Sequence, residues 1–410
     1  MTKTTLALLL ASFSSASLAD VEFLHWWTSK GEKKALDALE THLAEHDIIL
    51  TQSPILGGGG DTAMTVLQAR ALAGNTPDIA QIEGPSIKAW DEVGIVHTIN
   101  QTAAAQNWDE HLYPLTVDIN KTDNGYVALP ITLHRLNWLW VNHELLATLQ
   151  LEVPKTWPEM FNAMEKAKQH NVIPLAIGEQ AWQVALLFES LVIATGGVDF
   201  YYKALVELQR DHIDTEQMRL ALRQLRRVSS LVPTQQPNQN WDTATQNLLD
   251  NQALFQLGGD WILGDLLAAD VKVPQQVGWY PAPQSHNTFL YNMDSFIFMD
   301  AAGFTQQQAT QAANVLADKT FQANFNKIKG SIPVRTDIDL TGFNPCQVQS
   351  HQDFVQATAN GLAVPSMTDS MAVNPVAQQA INSEIFRYYR NTNVSEDEVV
   401  KRIISIAKST

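Results

Sequence analysis

The chain has 410 residues, of which 45% are hydrophobic and 17% are charged, so it is long enough to bury a core and to form two domains. Its 27 basic and 43 acidic residues give a formal net charge of −16. A chain this acidic repels nucleic acid and anionic membrane surfaces, which excludes both as expected partners.

The first nineteen residues predict a secretory signal peptide. Lys3 gives a positive start, "LALLLA" a short apolar run, and "SASLA" a small-residue stretch before Asp20, which favours cleavage after Ala19. The run is much shorter than the roughly 20 apolar residues that a membrane-spanning helix needs. We expect no spanning segment further along the chain, and therefore an exported, soluble protein whose mature part begins at about Asp20.

The mature chain opens with a pattern of alternating strands and helices. A strand is predicted over roughly residues 21–25, and a helix follows whose start fits a capping box of Ser29 and Glu32. Next come the glycine loop and helix "GGGGDTAMTVLQARALAGN" and the short strand "PDIAQI". This order is typical of α/β folds, in which ligands bind beyond the carboxyl ends of the strands.

The glycine run does not fit a nucleotide-binding loop. It lacks the Gly-Lys-Ser/Thr that follows a phosphate loop and has no G-x-G-x-x-G spacing. We expect instead that backbone in this run closely approaches a neighbouring group or a ligand.

Two adjacent tryptophans, Trp26 and Trp27, follow the first strand. Strand side chains alternate between faces, so both indoles cannot enter the same core. Because the pair lies at the carboxyl end of a predicted strand, at least one ring is a candidate for ligand contact.

The second half of the chain begins near "LPITLHRLNWLWVNHELL", where a strand after Leu136 is predicted to cross into a second lobe. A capping box of Thr156 and Glu159 starts a helix in which Trp157 is part of a buried stripe. Helical patterns continue to Asp250. Strand-like alternation in "GWYPAPQ…FLYNMDSFIFM" predicts a return to the first lobe, and the tail from residue 394 is predicted to be a charged amphipathic helix.

The chain has eleven tryptophans, and several lie beside turns and polar residues. An indole can pack on the C–H face of a pyranose, whose hydroxyl rim then needs hydrogen bonds. Each ring could equally fill a core. The rings concerned are Trp26, Trp27, Trp90, Trp182, Trp241 and Trp261.

Motifs for catalysis are missing. The sequence contains no H-E-x-x-H, C-x-x-C or G-x-S-x-G, and no spacing marks a pair of carboxylates for a glycosidase. Cys346, the single cysteine, has no nearby basic residue to lower its pKa and is not expected to be catalytic. His134 and Arg135 could be site residues or a buried polar cluster at the lobe crossing.

A family resemblance is carried by "LHWWTSKGE", "GGGGDTAMTVL", "AQIEGPSI", "HRLNWLW", "PKTWPEMF", "GDW" and "KGSIPVR", in this order. Together they resemble the periplasmic glucose-binding proteins of bacterial ABC importers, in extracellular solute-binding protein family 1. The resemblance implies a two-lobed α/β periplasmic binding protein fold (type II, Venus flytrap) with hinge strands between the lobes. It also implies a periplasmic protein that binds sugar in the cleft, delivers it to membrane permease subunits, and performs no catalysis. We expect a monomer without cofactor or metal.

The lobe crossings divide the chain into two predicted lobes. Residues 20–134 and 280–319 are assigned to the N-terminal lobe, and residues 135–279 and 320–410 to the C-terminal lobe.

The resemblance also implies which residues contact the ligand. They are the sugar-contacting pair Trp26 and Trp27, the hydroxyl-bonding acid Glu32, the stacking residue Trp261, the acceptor Asp294 and the donor Lys329.

Three matched positions depart from the glucose binders. Glu83 stands where they carry a lysine, Asp369 where they carry a histidine, and Ile177 where a histidine is usual. Glu83 and Asp369 remain candidate ligand residues, because a carboxylate can accept from a hydroxyl, but the sugar need not be glucose.

These departures predict up to four carboxylates around the cleft, with Lys329 as the only matched cation. Burying so many like charges is costly unless something compensates them. The ligand could supply an ammonium, as an amino sugar does. Alternatively, Glu83 and Asp369 turn to solvent or pair with an arginine such as Arg335, and the ligand is neutral.

Two other functions stay open from the sequence. A secreted glycoside hydrolase would use two cleft carboxylates at a catalytic separation. A sugar-binding protein that serves a chemoreceptor would share the fold and the site.

Overall fold

The structure is a computed structural model that describes residues 19–56, 60–233 and 239–409. Residues 1–18 of the predicted signal peptide and residues 57–59 of the glycine run lie outside the described residues. The first strand begins at Ala19, one residue before the predicted mature start.

The described residues form twelve strands in two main sheets and one small ribbon. They are β1 (Ala19–His25), β2 (Ile48–Pro54), β3 (Ile79–Ile82), β4 (Lys121–Thr122), β5 (Gly125–Tyr126), β6 (Ala128–Arg135), β7 (Trp138–Asn142), β8 (Ile173–Ala176), β9 (Ala253–Gly258), β10 (Val277–Pro281), β11 (Phe289–Phe298) and β12 (Ala363–Pro365).

Eighteen α-helices surround the sheets in the described part of the chain. They are α1 (Lys30–Ala44), α2 (Asp61–Leu72), α3 (Ser86–Val93), α4 (Asn100–Ala105), α5 (Trp108–His111), α6 (Pro114–Asn120), α7 (His143–Thr148), α8 (Trp157–Gln169), α9 (Ala181–Tyr201), α10 (Arg210–Ile213), α11 (Glu216–Leu231), α12 (Trp241–Leu249), α13 (Trp261–Ala268), α14 (Gln306–Leu316), α15 (Lys319–Lys329), α16 (Pro345–Ala359), α17 (Pro375–Arg390) and α18 (Glu396–Ala407).

The first lobe is built on a six-stranded sheet in the order β12-β11-β3-β1-β2, with β6 paired to β11. Strand β1 is parallel to β2 and β3, whereas β11 is antiparallel to β3 and β6. All ten residues of β11 are buried, as expected for a central strand covered on both faces. The parallel strands bring the carboxyl ends of β1 and β3 to one edge of the sheet.

The second lobe is built on a four-stranded sheet in the order β10-β7-β9-β8. Helix α8 starts at the predicted capping box, in which Thr156 accepts from the Glu159 N–H, and Trp157 is fully buried in the core of this lobe. The predicted capping box of Ser29 and Glu32 is likewise present at the start of α1.

Two crossings between the lobes run side by side, from β6 to β7 and from β10 to β11. The Asn137 side chain in the first crossing donates to Ser285 Oγ (3.0 Å) and to the Thr288 carbonyl (2.9 Å) in the second. The Leu136 N–H donates to the Leu290 carbonyl at 2.8 Å. These bonds tie the two segments into one hinge.

A third crossing follows β12 and is anchored by a buried carboxylate of α9. Glu189 accepts from Ser366 Oγ (2.8 Å), from the Met367 N–H (2.7 Å) and from Tyr201 Oη (2.5 Å). Burial raises the pKa of Glu189, although these donors oppose the shift. The second lobe thus holds the chain where it enters from the first.

Sheet and core membership favour a different lobe division from the predicted one. Phe321, Phe325 and Phe354 pack in the core of the first lobe, and β12 pairs with β11. Helices α15 and α16 and strand β12 therefore pack with elements of the first lobe, whereas Tyr280 and Pro281 pair with β7 in the second. A helical pattern identifies a buried face without identifying which sheet buries it.

One helical segment contradicts the expectation that no later segment could span a membrane. Residues 181–206 are long and apolar enough to do so by length and composition. Most of this segment is buried inside the protein, and Gly197 interrupts the helix with φ 76°. The segment is the central helix of the second lobe's core.

Candidate functional site

A cavity lies between the lobes at the carboxyl ends of β1 and β3. It holds about 380 Å³ of space outside the protein atoms, part of it open to solvent. Residues of both lobes line it: Trp26, Trp27, Glu32, Glu83, His134, Trp182, Trp241, Trp261, Asn292, Asp294, Lys329 and Asp369. All eight predicted ligand residues are among them.

Trp26 forms part of the first lobe's wall. Its N–H donates to Gln81 Oε1 at 3.1 Å, which fixes the backbone just beyond β1. A Cβ placed on Gly60, whose φ is +77°, would lie 3.3 Å from the Trp26 ring. Glycine is favoured here because of its left-handed backbone, and the end of the glycine run makes the predicted close approach.

Trp27 lies mostly in the core, although it also lines the cavity. Its ring centroid is 5.8 Å from Phe296 and 5.5 Å from Phe325, and only 1% of the residue is exposed. The resemblance implied that both tryptophans contact the sugar, but most of the Trp27 ring packs in the core. Alternation at the strand end directs the two rings to different surroundings.

Three indoles of the second lobe form the opposite wall. Trp261 begins α13, and its ring makes edge contacts with Trp182 (centroids 6.1 Å apart) and Trp241 (6.2 Å). Trp182 and Trp241 are among the tryptophans that lie beside turns in the sequence, but they are not among the ligand residues that the family resemblance implies. Apolar walls on both lobes can hold the faces of a flat, amphipathic ring.

Glu32 and Lys329 form a buried ion pair on the first lobe's side. Glu32 Oε1 lies 3.0 Å from Lys329 Nζ, and its Oε2 accepts from the Thr28 and Ser29 N–H groups at 2.9 and 3.0 Å. Lys329 Nζ is also 5.2 Å from the centre of the Trp27 ring. Each of these two predicted ligand residues therefore holds the side chain of the other in position.

Asp294 and His134 belong to a second buried polar cluster. Asp294 accepts from Gln81 Nε2 (2.7 Å), Thr132 Oγ1 (2.8 Å) and His134 Nε2 (3.2 Å). The other ring nitrogen of His134 bonds Asp260 Oδ1 at 2.5 Å. His134 is thus both a buried polar group at the crossing and part of the cavity wall.

The pKa values of this cluster indicate a doubly protonated imidazole. Burial works to lower the pKa of His134, but the charge and hydrogen bond of Asp260, with the bond to Asp294, raise it to about 9. Burial works to raise the pKa of Asp294, but His134, Lys329 and Gln81 lower it to about 2. The charged forms stabilise one another across the lobe crossing.

Glu83, Asn292 and Asp369 form a third cluster. Asn292 Nδ2 donates to Glu83 Oε1 at 2.9 Å and to Asp369 Oδ2 at 3.0 Å. Burial, with the charges of Asp369 and Asp294, raises the pKa of Glu83 well above its usual range. The sequence did not identify Asn292, because a lone asparagine inside a strand carries no spacing signal.

Arg335 does not compensate these carboxylates. It bonds Asp337 at 2.8 Å and Gln106 at 3.1 Å. Glu83 is only 4% exposed, so the alternative in which it turns to solvent or pairs with Arg335 is wrong. Ile177 lies just past β8 in the core of the second lobe.

Neither a reactive thiol nor a metal-holding cluster is found in the described part of the chain. Burial raises the pKa of the Cys346 thiol well above its usual range, which keeps the thiol protonated and unreactive. Among the described residues, no group of three or more His, Cys, Asp or Glu side chains could hold a metal ion.

Asp265 of α13 connects the lobes beside the cavity. It accepts from Ser29 Oγ at 2.8 Å and from the Gly31 N–H at 2.5 Å, at the start of α1. Burial raises the pKa of Asp265 to about 6, although these donors oppose the shift. The backbones meet closely here, since a Cβ on Gly31 would lie 2.5 Å from the Gly264 carbonyl carbon.

Comparison with known proteins agrees with this architecture. Residues 53–289, more than half of the chain, match the family model described as bacterial extracellular solute-binding protein. A "probable sugar-binding periplasmic protein" of Rhizobium meliloti is 33% identical over 99% of this chain and 98% of its own length. A protein of the same description from Brucella melitensis is 30% identical over 94% of this chain and 92% of its own length.

Solved structures share the fold at low identity. A chitin oligosaccharide binding protein has a TM-score of 0.80 at 16% identity, covering 95% of this chain and 98% of its own. A maltose-bound T. maritima MalE3 has a TM-score of 0.78 at 15% identity, covering 95% and 99%. The predicted two-lobed α/β binding-protein fold is confirmed, and the chain belongs to the bacterial extracellular solute-binding protein family.

Proposed function

We propose that this protein is the periplasmic sugar-binding component of an ABC importer, which captures a sugar between its lobes and delivers it to membrane permease subunits. One observation carries the proposal: indole walls from both lobes enclose a cavity rich in buried, oriented hydrogen-bonding groups. That combination suits a pyranose, which has apolar faces and a rim of hydroxyls.

The named relatives support the same class of function. Relatives at 30–33% identity are described as probable sugar-binding periplasmic proteins. A Saccharolobus solfataricus protein at 21% identity is named a glucose-binding protein, but Glu83, Asp369 and Ile177 differ from the glucose-binder pattern. Glucose itself is therefore not the sugar we assign.

Ligand capture would shift the balance between parted and joined lobes. The hinge tied by Asn137 allows the lobes to rotate, and the contact of Asp265 with α1 joins them beside the cavity. Trp26, Trp182, Trp241 and Trp261 would contact the sugar rings, while Glu32, Asp294 and Lys329 would bond hydroxyls.

Titration with a panel of mono- and disaccharides tests the proposal. Intrinsic tryptophan fluorescence and melting temperature should both change saturably with at least one saccharide, because binding to the folded state stabilises it. If no saccharide changes either signal, the sugar-binding proposal is wrong.

Assays on chromogenic glycosides separate this function from a glycoside hydrolase. We expect binding without turnover. Turnover abolished by Glu32→Gln would favour the hydrolase instead. A chemoreceptor role would share the same binding site, and pull-down with the cognate permease distinguishes it.

A further inference from the structure

One side of the cleft is unusually rich in buried acceptors. Glu83, Asp294 and Asp369 line the cavity and are 4%, 3% and 3% exposed. Asn292 lies between Glu83 and Asp369 and donates to both through Nδ2. This arrangement gathers negative charge around a single amide.

Two buried oxygens in this region accept no hydrogen bond from a protein donor. They are Glu83 Oε2 and Asn292 Oδ1. The amide nitrogen of Asn292 is already committed to the two carboxylates, so its carbonyl oxygen is left over. Buried polar atoms are usually satisfied, and a donor on a ligand in the cavity would satisfy both oxygens.

The cations of the cleft are engaged elsewhere. Lys329 pairs with Glu32 at 3.0 Å, and His134 lies between Asp260 and Asp294. Among the described residues, no ion pair of the structure involves Glu83. A positive charge beside Glu83 would have to come from outside the protein.

A proton on Glu83 can take the place of that charge. Burial, the charges of Asp369 and Asp294 and a hydrogen bond to Asp294 raise the pKa of Glu83 well above its usual range, which favours the protonated form of this carboxyl. A ligand cation placed against Glu83 would take over the role of this proton.

Building on the proposed sugar-binding function, we propose that the cleft recognises a sugar with a free amino group, whose ammonium binds Glu83 Oε2 and Asn292 Oδ1. An ammonium offers three donors and one positive charge, whereas a hydroxyl offers one donor and no charge. As the ammonium enters, Glu83 releases its proton to solvent. The charge of the site then stays constant, because one cation replaces one proton.

Calorimetry with matched sugars tests this assignment in the wild-type protein. The panel has three sets: glucose with glucosamine and N-acetylglucosamine, galactose with galactosamine, and mannose with mannosamine. In the set that binds best, we expect the amino sugar to bind at least about 10-fold more tightly than its neutral counterpart, because hydrogen bonds to charged groups are stronger than those to neutral groups. In the glucose set, it should also bind more tightly than the acetylated sugar. Titrations in two buffers of different ionisation enthalpy should show proton release with the amino sugar only.

Substitutions at Glu83 test the residue that carries the preference. Glu83→Gln keeps the shape of the side chain and removes its charge. The affinities for the amino sugar and its neutral counterpart should then differ by less than about 3-fold. Glu83→Lys would place an ammonium where the ligand's should lie and should abolish amino-sugar binding. Glu110→Gln makes the same charge change on the exposed surface of α5 and should leave the preference unchanged.

The outcomes separate this inference from the function on which it depends. Equal or tighter binding of the neutral or acetylated sugars overturns the amino-sugar assignment and leaves sugar binding standing. Absence of binding by any sugar in this panel and in the wider saccharide panel overturns both. The wild-type comparison and its proton release decide the matter even if a Glu83 variant fails to fold.

Discussion

Residues at the carboxyl end of β1 show how neighbours in sequence take different roles. Trp26 meets Gly60 at the cavity wall, whereas Trp27 packs between Phe296 and Phe325. The same change, tryptophan to alanine, should therefore have different consequences at the two positions.

Trp26→Ala should weaken sugar binding without unfolding the protein. The ring lines the cavity, and we expect its face to pack on the sugar, so its loss should reduce the binding free energy by about 1–3 kcal/mol. Calorimetry measures the effect, and Trp279→Ala, a half-buried ring of β10 outside the cleft lining, is the matched control. Unchanged affinity in Trp26→Ala would contradict the role of this ring.

Trp27→Ala should mainly reduce stability. Removing a ring that is 1% exposed leaves a cavity among aromatic side chains, and the free energy of unfolding should fall by about 3–5 kcal/mol. Urea unfolding checks this. A stable variant that has lost only sugar affinity would assign Trp27 to the ligand after all.

At the scale of elements, the start of α1 links both lobes. Its capping box holds Glu32 toward Lys329, and its free N–H and hydroxyl groups bond Asp265 of α13. The position of Gly31 against the Gly264 backbone makes this contact possible, because a larger residue would collide with main chain.

Gly31→Ala should therefore separate α1 from α13. Since the added Cβ would lie 2.5 Å from a backbone atom of Gly264, the joined form of the lobes should be disfavoured, and sugar affinity should fall at least about 10-fold. Calorimetry measures this loss, and Lys34→Ala on the exposed side of α1 is the control. Wild-type affinity in Gly31→Ala would show that this contact does not contribute to ligand capture.

At the scale of the whole molecule, buried charges concentrate where the chain crosses between lobes. His134 and Arg135 end β6, and Asp260 of the second lobe bonds both the His134 ring and the Arg135 N–H. Buried ion pairs are costly to break by removing one partner, because the remaining charge is left uncompensated.

The pH dependence of stability should report this cluster. The pKa of His134 is about 9 in the folded protein against 6.5 as the reference, so its contribution is full below about pH 6.5 and is lost as the pH rises through 9. The pKa of Asp294 is about 2 against a reference of 3.8, so its contribution is present above about pH 4 and is lost as the pH falls toward 2.

His134→Gln should lower the free energy of unfolding by about 3–5 kcal/mol near neutral pH, since Asp260 and Asp294 lose their shared cation. Its stability should also decline less than that of the wild type between about pH 7.5 and 9.5. Urea unfolding across this range measures both effects. Parallel pH profiles for the two proteins would contradict a charged His134.

Much of the fold could be predicted from local patterns. The α1 and α8 capping boxes, the strand before the tryptophan pair and the crossing after Leu136 each depend on neighbours in sequence, and each is present. Local patterns do not reach the lobe division near residue 320. Phe321 and Phe325 show a buried helix face and pack in the first lobe's core, but the sheet against which such a face packs is chosen by long-range contacts.

Local patterns were enough to predict the α/β class, the family resemblance, the indole-rich character of the site and, through the resemblance, eight of the twelve residues that line it. Their partners depend on the fold: Lys329 is paired with Glu32, His134 bridges Asp260 and Asp294, and Glu83 is buried beside Asn292 without Arg335. Residue type and spacing fix which groups are available. Which charges meet, and which remain uncompensated, depends on distances and burial that arise when segments far apart in sequence pack together.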